Sequence, residues 1–211
     1  MSDVTAISFA DRLVGNYLEA LGSSAPAPGG GSAAGLAGTM GCALGEMVCN
    51  LTLARAHEET VDELRATLVG LRNSILAQAQ ADERAFGAYR AATALPRSTE
   101  VEKAARRQAI EEALVAAAEV PLAMVTLGLE AFAALRGAAT VGTSHALGDL
   151  LTGGYLLQAM ILGSLENIEA NAFLMKIPEN RERFEHAAHS ARVDLEAALS
   201  GLQAAVAARR G

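Results

Sequence analysis

The chain has 211 residues, a length that suits one domain or one large helical bundle with a sizeable core. Its hydrophobic fraction of 51% excludes an intrinsically disordered chain. Its formal net charge of −7 argues against a nucleic-acid-binding surface, which is usually basic. We therefore expect a globular protein whose partners do not include nucleic acids.

The cysteines and the apolar segments indicate in which cellular compartment the protein is expected. Cys42 and Cys49 lie two helical turns apart, ~10 Å, which is too far for a disulfide. Residues 1–11 lack the basic region followed by an apolar stretch that marks a secretory signal. Residues 33–54 are apolar, but they are rich in Gly and Ala and include Glu46, which is atypical of a membrane span. We interpret them as a buried helix and expect a cytoplasmic protein with no membrane partner.

The N-terminal half of the chain is predicted to form three helices. The first begins at a capping-box pattern, Ser8–Asp11, and ends near Gly22. The second follows a Pro/Gly loop, has Ser32 as its N-cap and ends near Ala54. The third spans about 58–94 and ends before a Leu-Pro-Arg turn, because the residue before a proline disfavours helix.

The C-terminal half is predicted to be helical as well. A second capping-box pattern, Thr99–Glu102, opens a helix that Pro121 is expected to interrupt, since proline lacks a backbone N–H. Pro178 fits the first turn of the last helix. No strand, repeat or domain linker is predicted, so we expect an all-α, multi-helix bundle forming a single domain over 1–211. The predicted helix boundaries are about 100–118, a restart that ends near 136, then 146–176 and 178–209.

The segment Ala25–Ser32, reading APAPGGGS, places three glycines ahead of a helix. Glycine lets the backbone approach a ligand closely, and free N–H groups at a helix start favour an anionic or electron-rich group. No Gly-Lys-Ser/Thr follows and no strand precedes, so this is neither a Walker A loop nor a dinucleotide-binding fingerprint. Two interpretations stay open: the loop contacts a ligand, or it forms a tight turn that lets helices pack closely.

Two carboxylates in helical segments are candidate catalytic groups. Asp82 lies one turn before Phe86, a pattern that is also typical of a solvated acid beside a core residue. Asp149 is the only formal charge between Arg136 and Glu166, in a stretch apolar enough to be largely buried. A lone buried carboxylate is costly unless it is paired or used, which favours a functional role for Asp149.

Two asparagines complete the set of candidates. Asn167 and Asn171 are one turn apart on one helix face. Asp149 shares that face, but along an unbroken helix it lies ~27 Å from Asn167. These groups either hold different ends of a long ligand or are brought together by a neighbouring subunit. Of the histidines, only His145 is expected near a site, and no metal-ligand or Ser-His-Asp pattern is visible.

Taken together, these motifs resemble the C-terminal family of formiminotransferase-cyclodeaminases, which includes stand-alone methenyltetrahydrofolate cyclohydrolases. The resemblance covers 23–176 in order. It departs at Thr143 and Gly148, where the family commonly shows Asn and Ser. The segments that carry it are SSAPAPGGGSAAGLAGTMGCALGEMVCNLT, DERAFGAYRAATALPRSTEVEKAARRQAIEEAL, EVPLAM, the loop 142–149 and NIEAN.

The resemblance implies an all-helical homodimer that acts on a one-carbon unit bridging N5 and N10 of tetrahydrofolate, without a metal or redox cofactor. We expect hydrolysis of 5,10-methenyltetrahydrofolate to 10-formyltetrahydrofolate, because the chain carries no formiminotransferase domain. The alternatives are a formiminotetrahydrofolate cyclodeaminase that releases ammonia and a non-catalytic folate-binding helical dimer. The catalytic acid/base is expected to be Asp149, which we favour, or Asp82. The predicted substrate-binding residues are Gly29, Gly30, Gly31, Ser32, His145, Asn167 and Asn171.

Overall fold

The computed structural model describes residues 14–210, which form six α-helices and no strand. The predicted all-α fold is therefore confirmed, while the capping-box pattern at Ser8–Asp11 lies outside the described residues. A short 3₁₀ turn, Ser144–Ala146, precedes the fifth helix. The helices are α1 Val14–Leu21, α2 Gly30–Leu53, α3 Glu59–Thr93, α4 Glu100–Val141, α5 Leu147–Leu174 and α6 Pro178–Arg210.

α2 is packed closely against an antiparallel α5. Gly38 faces Met160, and further along α2 Gly41 faces Gly153, so the two helices run in opposite directions. A Cβ atom at Gly41 would lie 2.7 Å from the carbonyl oxygen of Gly153, closer than real Cβ contacts. The many glycines of α2 are thus explained by the close approach of its backbone to the backbone of α5.

Both cysteines lie inside the bundle, as the sequence predicted. Cys42 and Cys49 are buried and unpaired. Burial raises the pKa of the Cys42 thiol to about 12 and that of the Cys49 thiol to about 11, outweighing the opposing effect of nearby arginines. Thiols with such pKa values are protonated at neutral pH and act as small core residues.

α4 runs without interruption from Glu100 to Val141, so the predicted break at Pro121 and the predicted helix end near residue 136 were wrong. The helix packs along α3, α5 and α6, and Pro121 itself is buried. Burial of apolar side chains on both sides of the proline outweighs its cost of ~3 kcal/mol in a helix interior. The capping box at the start of α4 is confirmed: the Glu102 N–H donates to Thr99 Oγ1 at 3.2 Å, and the Thr99 N–H donates to Glu102 Oε2 at 2.9 Å.

A buried carboxylate fastens the junction between α5 and α6. Glu111 of α4 is 7% exposed and accepts the backbone N–H groups of Lys176 at 2.8 Å and Ile177 at 3.2 Å. It also accepts from Asn180 Nδ2 at 3.0 Å. Burial by itself raises the pKa of Glu111, but these hydrogen bonds outweigh it and hold the pKa below its usual value.

Among residues 14–210, three segments are long and apolar enough to cross a membrane by length and composition alone: Gly30–Leu53, Glu100–Val141 and Ser144–Leu174. In the described bundle they pack on one another, with part of each apolar surface buried. The expectation that the chain has no membrane partner stays a prediction.

Candidate active site

A cleft opens where the N-terminus of α2 meets the C-terminal parts of α3 and α5. Its volume is about 290 Å³, at the lower end of the ~300–1,000 Å³ found for ligand pockets. Two of its walls are the glycine loop before α2 and one face of α3. We call it the glycine-loop cleft. Its lining residues are Pro26, Ala27, Gly29, Gly30, Gly31, Asp82, Glu83, Ala85, Phe86, Tyr89, Ala117, Asn167, Ala170, Asn171 and Leu174.

The start of α2 differs from the prediction. Its N-cap is Gly29, which has no side chain to accept a helix N–H, and Ser32 is the third helical residue rather than the cap. The backbone N–H of Ser32 donates to the carboxylate of Asp82 instead. A side chain of α3 thus caps α2, and the N-terminus of a helix favours such a negative group.

Gly30 and Gly31, the first two residues of α2, have different roles. A Cβ atom at Gly31 would lie 2.3 Å from Asp82 Oδ1, so only glycine allows the carboxylate to approach α2. A Cβ atom at Gly30 would meet nothing closer than Asn167 Nδ2, at 3.9 Å. Gly31 is therefore needed for packing, as one interpretation of the sequence held. Gly30 leaves open space in the cleft, as the other interpretation requires.

The hydroxyl of Ser32 serves the structure of the loop rather than the open cleft. Ser32 is fully buried, and its Oγ donates to the carbonyl oxygen of Gly29 at 3.0 Å. The hydroxyl of the buried Tyr17 lies 3.2 Å from the same Oγ and ties α1 to this turn. Ser32 was predicted to bind substrate, and its backbone N–H and hydroxyl are both engaged within the protein.

Asp82 is the titratable group best placed for chemistry in this cleft. Asp82 is half-buried, and burial raises the pKa of its carboxyl group above the usual value. The Ser32 N–H lowers that pKa in part, and the neighbouring carboxylate of Glu83 raises it. A carboxyl with a raised pKa transfers protons more readily near neutral pH, which is the property a general acid/base needs.

The two asparagines line the opposite wall and have fixed amide orientations. Asn167 Nδ2 donates to the Gly163 carbonyl at 2.7 Å, and Asn171 Nδ2 donates to the Asn167 carbonyl at 2.9 Å. Carbonyl oxygens only accept, so the atom facing each of them must be the amide nitrogen. Each Oδ1 is then the amide atom left for a ligand. Together with Asp82 they make the cleft rich in hydrogen-bond acceptors.

Asp149 and His145 do not line the glycine-loop cleft. Both lie at the other end of α5, His145 in the 3₁₀ turn and Asp149 in the first turn of the helix. His145 is exposed and Asp149 is half-buried, less covered than the sequence suggested. Because α5 is unbroken between Asp149 and Asn167, the ~27 Å separation holds within one subunit. Within one subunit Asp149 and this cleft could hold only different ends of a long ligand, and joint action on one small group requires a second subunit.

A larger groove adjoins the cleft. Leu174 borders both, and the groove has a volume of about 940 Å³. Its lining is largely apolar and includes two carboxylates, Glu111 and Glu112, and three basic side chains. None of the basic residues, Arg106, Arg107 and Lys176, was predicted from the sequence to belong to a site. The lining residues are Arg106, Arg107, Gln108, Ile110, Glu111, Glu112, Val115, Ala116, Leu174, Lys176, Ile177 and Asn180.

Comparisons with known proteins agree with this architecture. The formiminotransferase-cyclodeaminase family profile matches residues 13–207. A methenyltetrahydrofolate cyclohydrolase from Methylorubrum extorquens is 44% identical over 117 residues, which cover 54% of this chain and 56% of that protein. A formimidoyltransferase-cyclodeaminase from Gallus gallus is 31% identical over 162 residues, 75% of this chain and 30% of that protein. The aligned regions thus span about half or less of these two relatives.

A solved structure extends the comparison to nearly the whole chain. The crystal structure of a formiminotetrahydrofolate cyclodeaminase from Thermotoga maritima superimposes with a TM-score of 0.81 at 21% identity. The match covers 94% of this chain and 98% of that chain, so the two share a fold. The helical bundle, the glycine loop that opens α2 and the match over residues 13–207 lead to one assignment. The chain belongs to the formiminotransferase-cyclodeaminase family.

Proposed function

We propose that this protein hydrolyses 5,10-methenyltetrahydrofolate to 10-formyltetrahydrofolate, with the pterin end of the substrate in the glycine-loop cleft. The observation that carries the proposal is the position of Asp82. Its carboxylate is held by the Ser32 N–H beside the open space at Gly30, opposite Asn167 and Asn171. A carboxylate among acceptors suits a substrate that is cationic and rich in N–H donors.

The proposed chemistry needs one group that both takes and returns a proton. Water attacks the cationic carbon between N5 and N10 as Asp82 removes one of its protons, giving a tetrahedral carbon that carries a hydroxyl. The bond from that carbon to N5 then breaks, and Asp82 delivers its proton to N5. The hydroxyl proton is lost to solvent as the formyl C=O forms on N10. Water and the methenyl cation thus give 10-formyltetrahydrofolate and one proton.

The cleft holds only part of a folate. Its volume of about 290 Å³ suits a bicyclic head group, and the groove beyond Leu174 offers about 940 Å³ more. We propose that the aminobenzoyl ring lies along the apolar walls of this groove. Its glutamate carboxylates would then lie near Arg107 and Lys176, which line the groove.

A second candidate activity is formiminotetrahydrofolate cyclodeamination. It is favoured by the 31% identity to the Gallus gallus formimidoyltransferase-cyclodeaminase over three quarters of this chain. In that reaction N10 attacks the formimino carbon on N5, a base takes the N10 proton, and ammonia leaves with it. The same carboxylate serves both reactions, so the cleft does not distinguish them.

An absorbance assay separates these activities. Purified protein is mixed with methenyltetrahydrofolate, and the expected result is enzyme-dependent loss of the methenyl absorbance above the spontaneous rate. Ammonia release from formiminotetrahydrofolate, with no acceleration of methenyl hydrolysis, would make the cyclodeaminase the correct assignment. Folate binding without either turnover would replace both by a binding module.

We also propose that the protein forms a homodimer through the outer face of α2 and α5. That face exposes large apolar side chains, among them Met40 at 47%, Leu51 at 46% and Tyr155 at 50%. Monomeric proteins rarely leave such a patch uncovered. A sedimentation-velocity experiment at micromolar concentration without detergent should show a dimer. A stable monomer, or a protein that needs detergent to stay in solution, would contradict the proposal.

The exposed stripe of α5 is nearly self-complementary, which sets the arrangement that we propose. Around Ala159, Tyr155 mirrors Leu162 and Thr152 mirrors Glu166, and all five residues are exposed. A two-fold axis near Ala159 would pack two α5 helices antiparallel. The partner's Asp149 would then lie opposite Asn167. This arrangement would make the predicted role of Asp149 compatible with the position of the cleft.

A further inference from the structure

The interior of α4 carries a backbone acceptor that the helix itself cannot use. Pro121 has no N–H, so the carbonyl oxygen of Ala117, four residues earlier, lacks the usual α-helical hydrogen bond from residue 121. α4 continues past this point without a break. The unused acceptor is therefore a fixed feature of the helix and not part of a loop that could rearrange to satisfy it.

The residue that carries this carbonyl lines the glycine-loop cleft, beside Asn171. Ala117 is 9% exposed and lines the cleft, and Asn171 Nδ2 lies 3.5 Å from its oxygen. That distance is at the limit of a hydrogen bond, and the same Nδ2 makes a shorter one of 2.9 Å to Asn167. A carbonyl oxygen has two lone pairs, so most of its accepting capacity remains. A buried acceptor that is used so little is costly unless a ligand completes it.

We infer that the Ala117 carbonyl, freed by Pro121, accepts a hydrogen bond from the aminopyrimidinone ring of the substrate. This inference rests on the proposed function. The ring of a reduced pterin presents two neighbouring donors, the 2-amino group and the N3–H. Asn171 Oδ1 is the adjacent acceptor, because Asn171 Nδ2 is already engaged with carbonyl oxygens. Two adjacent acceptors recognise two adjacent donors and exclude a ring that lacks them.

The variant Pro121→Ala tests the inference because it restores an N–H at residue 121. That N–H competes for the Ala117 carbonyl, so we expect the KM for methenyltetrahydrofolate to rise about tenfold while kcat changes little. Thermal stability should rise, because alanine is the better helix former. Weaker binding by a more stable protein is not the result expected if Pro121 only shapes the bundle.

A substrate analogue supplies the decisive comparison. We would measure binding of tetrahydrofolate and of its 2-desamino-2-methyl analogue to the wild type and to Pro121→Ala. The analogue should bind the wild type about tenfold more weakly, and the substitution should then have little further effect. Equal losses on substitution for both ligands would overturn the inference, because the carbonyl would not be sensing the amino group.

A second variant keeps the test informative if Pro121→Ala does not fold. Asn171→Leu keeps the size of the side chain but removes Oδ1 and the contact with the Ala117 carbonyl. It should bind tetrahydrofolate and the desamino analogue more weakly by similar factors, because the Ala117 carbonyl that accepts from the amino group is still present. Loss of the discrimination between the two ligands would overturn the inference, because Asn171 and not the Ala117 carbonyl would then sense the amino group. A wild-type protein that binds no reduced folate would overturn the proposed function, whereas binding that ignores the amino group would overturn only this step.

Discussion

The carboxylate of Asp82 accepts the backbone N–H of Ser32, so an acid of α3 caps the helix whose own N-cap, Gly29, has no side chain. This contact places a carboxylate with a raised pKa at the mouth of a cleft lined by the glycine loop and two asparagines. It also requires glycine at residue 31. The same side chain thus makes a structural contact and is a candidate catalytic group.

The pair Gly30→Val and Gly31→Ala separates ligand binding from packing. Gly30→Val adds atoms to open space, so it should weaken folate binding at least about tenfold while thermal stability changes little. Gly31→Ala places its Cβ against Asp82 and should lower the free energy of unfolding by ~1–3 kcal/mol. Thermal unfolding and folate titration are measured on both variants. Parallel losses of folding and binding at Gly30 would show that this glycine also serves packing.

Glu111→Gln tests the carboxylate at the α5–α6 junction. Glutamine puts an NH₂ group where Glu111 accepts backbone N–H donors, so the variant should lose ~2–3 kcal/mol of unfolding free energy at pH 7. Because the folded-state pKa is lowered, the ionised carboxylate stabilises the fold above its usual pKa of 4.5, and this is lost as the pH falls through the lowered value. Urea unfolding at several pH values should show the difference between wild type and variant shrinking below pH 4.5. A difference that is constant with pH would contradict this account.

Arg107→Ala tests the groove as the site of the glutamate portion. The KM for methenyltetrahydrofolate should rise several-fold, whereas the KM for methenyltetrahydropteroate, which lacks glutamate, should stay unchanged. Lys103→Ala is the matched control, because Lys103 is on the same helix but pairs with Glu100 and does not line the groove. Similar changes in KM for both substrates would show that Arg107 does not recognise the glutamate portion.

Asp149 can act on this cleft only across a dimer, which a mixed dimer tests. Asp82→Asn and Asp149→Asn subunits carrying different tags are co-expressed, and the heterodimer is purified through both tags. If the partner's Asp149 completes the cleft, one of the two sites keeps both acids, so activity should reach about half that of wild type. The doubly tagged Asp82→Asn and Asp149→Asn homodimers are the controls, and both must be inactive for half activity to indicate a shared site. An inactive heterodimer, made from two inactive parents, would mean that both acids act within one subunit.

The sequence predicted the helices well where local signals were strong. The third helix was expected over about 58–94 and spans Glu59–Thr93, and the last begins at Pro178 as expected. Pro121 misled the prediction because the local cost of a proline is outweighed by packing along three neighbouring helices, which only the assembled bundle provides. Ser32 looked like an N-cap, but Asp82, fifty residues further along the chain, performs that function for α2.

The candidate site was predictable in its parts and not in its arrangement. Gly30, Asp82 and Asn167 were all singled out from the sequence, and they meet in one cleft. Their proximity depends on which faces of α2, α3 and α5 contact each other, and helical spacing within one segment carries no information about that. Asp149 was favoured over Asp82 as the catalytic acid because it is the only formal charge in an apolar stretch of sequence. The tertiary structure places Asp82, the less conspicuous acid, in the cleft.

The most direct test of the account is the turnover of methenyltetrahydrofolate by Asp82→Asn, compared with Asp149→Asn. Asparagine keeps an oxygen that can accept the Ser32 N–H. The raised pKa of Asp82 means that the folded state disfavours the charged carboxylate, so ionisation lowers the stability of the fold increasingly as the pH rises above 3.8, the usual pKa of the group. The variant should therefore be at least as stable as the wild type at pH 7 and should bind folate. The account predicts that its turnover falls ~10²-fold or more. Near-normal turnover by Asp82→Asn, with activity abolished in Asp149→Asn, would contradict the assignment of Asp82 as the acid/base.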